Sequence, residues 1–295
     1  MLRVCLLSTA LLMPLAAQSP QVLPPAAVPK DRANAGPMAG SPGDLMILPT
    51  RIVLEGRERA AEVTLRNEGI SQATYRIFIK EMEMTPEGKL ADRDKKAGET
   101  TSADLIRYTP RQVELAPGEV QRIRIQLRKP EGLADGEYRS HMVFQGIPKA
   151  EAPTLGAKGE DKTLSFKIQP VYGISIPVIV RHGTLQATLG IGDLKAWLPP
   201  EKDMPLIVEF NLERKGNRST LSDIEVFAVS GGPIKPGTSL YAYKGVAVYD
   251  GLASRNCRVP LVAGKGGALA GTRLKVVVTP RDGSHPPMEA FCDVR

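Results

Sequence analysis

Residues 122–128 read Arg-Ile-Arg-Ile-Gln-Leu-Arg, so Ile123, Ile125 and Leu127 alternate with charged and amide neighbours. Successive side chains of a strand point to opposite faces, and a segment of this kind must keep one face in a core and the other in water. The same period of two returns at Ala61, Val63 and Leu65, at Tyr75, Ile77 and Ile79 (continuing through Met82 and Met84), at Val113 and Leu115, and at Leu164, Phe166 and Ile168. Turn chemistry separates these runs, as at Glu55-Gly56, Asn67-Glu68-Gly69, Thr85-Pro86-Glu87-Gly88, Ala116-Pro117-Gly118 and Asp135-Gly136. Residues 87–104 are charged and read as a loop. Residues 138–147 read as a strand, and the apolar run 171–180 as a long strand, bent or bulged near Pro170 or Gly173. Short strands at regular spacing, with little helical periodicity, predict a β-sandwich.

The pattern then repeats. His182-Gly183 suits a domain boundary, and beyond it strands are expected at 206–212, 224–228, 246–249, 258–262 and 274–278, with a turn at 215–218. The expected organisation is all-β: a signal peptide over 1–17, a leader rich in Pro, Ala and Gly over 18–43, one sandwich over 44–183 and a second over 184–295. No sequence repeat links the halves.

The export signal is read from Arg3, followed by an apolar stretch ending at Ala16-Ala17, where small residues suit cleavage. That stretch is too short for a stable bilayer anchor. Export leaves two cysteines, Cys257 and Cys292, in expected strands; an oxidising compartment permits a disulfide between them, with two free buried thiols as the alternative. The formal charge is +7. Lys and Arg are interspersed with Asp and Glu, which describes a solvated surface and leaves an acidic protein partner open. Export and the lack of a basic run argue against nucleic acid.

Signatures of catalysis are missing. His141, His182 and His285 are isolated, with no HExxH and no Cys/His metal spacing. No GxSxG elbow occurs. Gly264-Lys265-Gly266-Gly267 and Gly190-Ile191-Gly192 match neither GxGxxG nor a phosphate loop and read as hairpin turns. Asn217-Arg218-Ser219 fits a glycosylation sequon but is taken as a turn. The sequence therefore predicts neither an enzyme nor a cofactor or metal site. One strand has a further possibility: Leu164, Phe166 and Ile168 form a row of large apolar side chains after a charged, Gly-bearing segment. Such a strand can add to another protein's open sheet, with backbone bonds for affinity and alternate side chains filling pockets.

Residues 48–148 resemble the N-terminal domain of the PapD-like periplasmic chaperones of the chaperone–usher pathway. The matching pieces are the run from Pro49-Thr50-Arg51-Ile52 to Gly56, the strand 61–67, Arg107-Tyr108-Thr109-Pro110, Leu115-Ala116-Pro117-Gly118-Glu119 with Gln121-Arg122-Ile123-Arg124, Glu137-Tyr138-Arg139-Ser140-His141 before Phe144, and the run to Val180. The second half matches less, which marks a divergent branch. The resemblance implies two immunoglobulin-like sandwiches set at an angle and a chaperone that lends its final N-domain strand to pilin or fimbrial subunits, capping them until an outer-membrane usher takes them. Leu164, Phe166 and Ile168 would be the lent side chains, and no cofactor is required. Free chaperone can self-associate through the same edge.

In that family a basic pair in the cleft holds the subunit's C-terminal carboxylate. Arg51 matches the first member in its Thr-Arg-Ile context. The second is a Lys in the final strand of the domain, where this chain reads Tyr172-Gly173-Ile174-Ser175-Ile176-Pro177 with no Lys; Arg139 and Arg181 are the candidates to replace it. The competing reading is a structural or adhesive immunoglobulin-like exported protein without clients.

Overall fold

Pro49-Thr50-Arg51 splits the first apolar stretch into two strands that serve different sheets. In this computed structural model, which describes residues 44–148, 171–200, 204–262 and 269–294, β1 (Leu45–Leu48) pairs antiparallel with β3 (Ala60–Asn67), whereas β2 (Ile52–Leu54) runs parallel to β11 (Gly173–His182). The first sheet has the order β1-β3-β9-β7, with β7 at Ile106–Thr109 and β9 at Val120–Leu127. The second has the order β2-β11-β10-β4-β8, with β4 at Ala73–Lys80, β8 at Gln112–Leu115 and β10 at Gly136–Ile147. The alternating residues close the core between them. Val63, Leu65, Ile123 and Ile125 are completely buried, as are Tyr75, Phe144, Met142 and Val178 to within about a percent. Burying each such side chain contributes about 1.5–3 kcal/mol before ordering costs.

The charged stretch 87–104 is more ordered than expected. The strand expected to continue from Ile79 through Met84 breaks after Lys80; β5 (Met82–Met84) leaves the sheet and pairs with β6 (Leu90–Asp92) as a separate two-stranded ribbon. One helical turn, α1 (Ser102–Leu105), follows. The Asp104 carboxylate accepts the Thr101 N–H at 2.8 Å, and Ser102 Oγ donates to Val178 O at 2.8 Å. A short polar turn that satisfies its own end groups leaves no apolar periodicity to read.

A four-residue link, 183–186, leads to the second sandwich. One sheet has the order β12-β13-β16 (Ala187–Trp197, Leu206–Gly216, Ser254–Leu261), the other β15-β14-β17-β18 (Ser239–Val248, Thr220–Ser230, Arg273–Pro280, Met288–Asp293). Its core is separate from the first, built on Val208, Phe210, Leu212, Val226, Val248, Leu274, Val276 and Val278. Two immunoglobulin-like sandwiches thus stand in series, as the alternation predicts. The Gly190–Gly192 run departs from expectation: it lies inside β12, paired with Glu213, Leu212 and Asn211, and the turn chemistry goes instead into a bulge between Gly192 and Lys195. Gly264–Gly267 lie outside the described residues. Cys257 and Cys292 are free thiols, so the disulfide is not formed: Cys257 sits opposite Phe210 in one sheet and Cys292 opposite Leu274 in the other, each packed as a small apolar side chain against the core.

Among the described residues no helix is long and apolar enough to cross a membrane. The described residues all belong to one compact unit.

Candidate functional site

The polar face of the second sheet builds a cleft with the other sandwich. On β10, Met142 and Phe144 enter the core and Tyr138 packs against it, so Glu137, Arg139 and His141 point the opposite way. On β11, Ile176, Val178 and Val180 enter the core, which turns Ile179 and Arg181 outward; Ile179 is nevertheless completely buried. On β2, Ile52 and Leu54 enter the core and Arg51 precedes them on the outer side. Alternation therefore gathers Arg51, Glu137, Arg139, His141 and Arg181 on one surface. The turn from β13 to β14 and the end of β15 cover it with Ser219 and Tyr249, both at most 4% exposed.

Ser219 is the junction. Its N–H and its hydroxyl both donate to Glu137 Oε2 at 2.9 Å, its Oγ accepts from Arg51 Nη2 at 3.0 Å, and its carbonyl accepts from Arg181 Nη2 at 3.2 Å. The Glu137 side chain has no exposed surface. Arg181 completes the knot, donating from Nε to Glu137 Oε2 and from Nη1 to Glu55 Oε2, each at 3.1 Å. Each of its three nitrogens is therefore engaged, and Arg181 works as a tie between the sandwiches.

Arg51 and Arg139 are placed differently. Among the described residues the hydrogen-bond partner of Arg51 is the neutral Ser219 hydroxyl. Arg139 lies over the Tyr249 ring, 4.0 Å from its centroid, and reaches Glu137 Oε1 only at 3.9 Å; its Nε is buried without a partner. Burial is the largest influence on both guanidiniums and lowers their pKa, with Tyr249 and Glu137 opposing it. A buried cation short of a hydrogen-bonded anion has strong affinity for one, and a guanidinium matches a carboxylate bidentately. Beside Arg139 opens a cavity of about 300 Å³, lined also by Glu137, Tyr249, Asp250 and Arg93.

His141 lies between the sandwiches with Nε2 3.3 Å from the Tyr249 hydroxyl and its Nδ1 unpartnered. Burial first, then the charges of Arg139 and Arg51, hold its pKa down at about 4. It is neutral near pH 7 and adds no third repelling charge to the pair.

The edge of β11 supplies the second feature. Residues 173–182 pair with β10 along one side, whereas β2 occupies the other side only at Val178, Ile179 and Val180. Among the described residues, the outer edge of 173–177 carries no strand. It ends where Arg51 begins, since Arg51 immediately precedes Ile52, the partner of Val178. Leu164, Phe166 and Ile168 lie outside the described residues. The sequence singled out Arg51, Arg139 and Arg181, and the structure brings all three to one cleft. It did not single out Glu137, Ser219, Tyr249 or His141. For Glu137 and His141 a signal existed, because they alternate with Arg139 on the non-core face of an apolar strand.

Two immunoglobulin-like sandwiches sharing a polar cleft define the architecture. Residues 44–182 match the family of pili and flagellar-assembly chaperones, PapD N-terminal domain. The first sandwich is thus similar to the N-terminal domain of the PapD-like assembly chaperones, proteins that are not enzymes. No curated protein sequence matches the chain. Among solved structures, it is similar to the CsuC–CsuE chaperone–tip adhesin subunit pre-assembly complex of the archaic chaperone-usher Csu pili of Acinetobacter baumannii, at 13% identity over 85% of this chain and 99% of that one, with a TM-score of 0.43. It is also similar to the CupB2 chaperone of Pseudomonas aeruginosa, at 11% identity over 85% of this chain and 100% of that one, TM-score 0.42. The Salmonella enterica SafA pilin in complex with the SafB chaperone matches at 10% identity over 84% and 96%, TM-score 0.40.

Proposed function

We propose that this chain is a periplasmic chaperone, exported by residues 1–17, that captures pilus or fimbria-like subunits by donor-strand complementation and delivers them to an outer-membrane usher. The observation that carries the proposal is the position of Arg51 at the end of the open β11 edge. A subunit strand laid along 173–177, parallel to β11, runs end-on into β2 and presents its C-terminal carboxylate to Arg51. Arg139 is the second cation of this anchor, standing in for the Lys that the family carries in this strand, and Arg181 keeps the sandwiches at their working angle.

Upstream of this edge, Leu164, Phe166 and Ile168 supply the side chains that fill the subunit's groove. Three such side chains contribute on the order of 5 kcal/mol before ordering costs, so capture proceeds without a nucleotide. An unpaired apolar sheet edge aggregates unless covered, which is the reason a subunit needs the service. The test is co-expression with a subunit encoded beside the gene, comparing wild type with Phe166→Asp. The variant should fold normally, judged by its urea midpoint, and lose the subunit. A variant that unfolds would show that Phe166 belongs to the chaperone's own core, and one that retains the subunit would remove residues 164–168 from the interface.

A further inference from the structure

Resting on the carboxylate anchor proposed above, we infer that Tyr249 of the second sandwich is a positioning residue for that anchor, holding Arg139 in the cleft it shares with Arg51. Three observations carry it. The Arg139 guanidinium lies face-on to the Tyr249 ring at 4.0 Å, close for such a contact, while its Nε has no hydrogen-bond partner. Tyr249 is 4% exposed and outside the core of its own domain, so its burial comes from the cleft. Its hydroxyl meets His141 Nε2 at 3.3 Å, and the two rings lie 5.8 Å apart, which fixes the phenol from the Arg139 side of β10.

Elementary chemistry explains the arrangement. Two guanidiniums facing one site repel, and a flexible arginine left without a partner swings toward water. A ring face attracts the cation without neutralising it or using its N–H donors. Arg139 is thereby ordered in advance, with its donors available to an incoming carboxylate, and the ordering cost of capture is lowered. A carboxylate partner in place of Tyr249 would fix the same side chain and cancel its charge. The second sandwich thus takes part in client recognition by supplying Tyr249.

The test uses the full mature chain and a synthetic peptide of alternating apolar residues made in two forms, with a free C-terminal carboxylate and as the C-terminal amide. The ratio of the two Kd values isolates the anchor, because a loss of general fold or edge pairing moves both equally. Wild type should prefer the acid by about ten-fold or more. Tyr249→Leu should reduce this ratio several-fold, as Arg139→Ala does, and the double variant should be no worse than Arg139→Ala alone. Tyr249→Phe, which keeps the ring, should retain the preference. In wild type, the Arg139 side-chain resonances should be shifted upfield by the Tyr249 ring and stay so when the acid peptide binds; this signature needs no variant to fold. A Tyr249→Leu ratio equal to wild type, or loss of the upfield shift on binding, would overturn the positioning role while leaving the anchor intact. No acid preference in wild type would refute the anchor itself.

Discussion

Glu137 Oε2 accepts both the backbone N–H and the hydroxyl of Ser219, each at 2.9 Å, and so ties β10 of the first sandwich to the turn entering β14 of the second. The same oxygen receives Arg181 Nε at 3.1 Å. The angle between the sandwiches is thus set by a buried charge with three donors.

Glu137→Ala should be among the most destabilising single changes in the chain. It removes the buried carboxylate that accepts from Arg181 Nε and from the Ser219 N–H, and breaking a buried ion pair by removing one partner costs about 3–5 kcal/mol. Urea denaturation should show the lowered midpoint. A change below about 1 kcal/mol would mean that solvent enters the cleft and replaces the carboxylate.

Acid should loosen the cleft through His141. Its folded pKa of about 4 lies below the ordinary value of 6.5, so between these limits the unfolded chain binds a proton that the folded chain refuses. Stability therefore rises with pH across this window and falls as acid is added, by about 3 kcal/mol when the pH has dropped to the folded pKa. Glu99, held at about 2 by Arg93, acts in the same direction at lower pH, being lost as pH falls through the carboxylate range. His141→Gln should flatten the slope between pH 4.5 and 6.5 and leave the more acidic limb unchanged. An unaltered slope would place that proton uptake elsewhere.

The thiols can be counted directly. Cys257 is buried and Cys292 partly buried, and burial raises both thiol pKa values, Cys292 to about 11. Native mature protein should react slowly with iodoacetamide. After unfolding without reductant, both thiols should alkylate. Alkylation only after reduction would establish the disulfide.

Much of this architecture was legible because alternation is a local signal. The strands around Val63, Ile77 and Ile123 and the turn at Pro117-Gly118 are specified by neighbours in the chain. Arg51 was legible for a different reason, its Thr-Arg-Ile setting. The unread parts depend on distance or on compensation. Ser219 and Tyr249 reach the cleft from far along the chain, Ser219 80 residues beyond Arg139, and nothing near them in the chain marks a polar role. The glycines at 190 and 192 suggest a turn by composition, but the pairing of β12 with β13 overrides that propensity. Arg181 and Arg139 look equivalent as residues; only their partners separate a structural tie from an under-paired cation.

The central claim is capture of a subunit through its C-terminus. It is tested most directly by isolating tagged wild type and Arg51→Ala from the periplasm of cells that express the neighbouring genes, and identifying the copurifying chains by mass spectrometry. The account predicts a stoichiometric small β-rich subunit with wild type and its loss with Arg51→Ala, since removing one partner of a buried charge pair weakens binding by about 2–5 kcal/mol. Equal recovery of the subunit with both proteins would contradict the anchor, and no subunit with either would contradict the chaperone function.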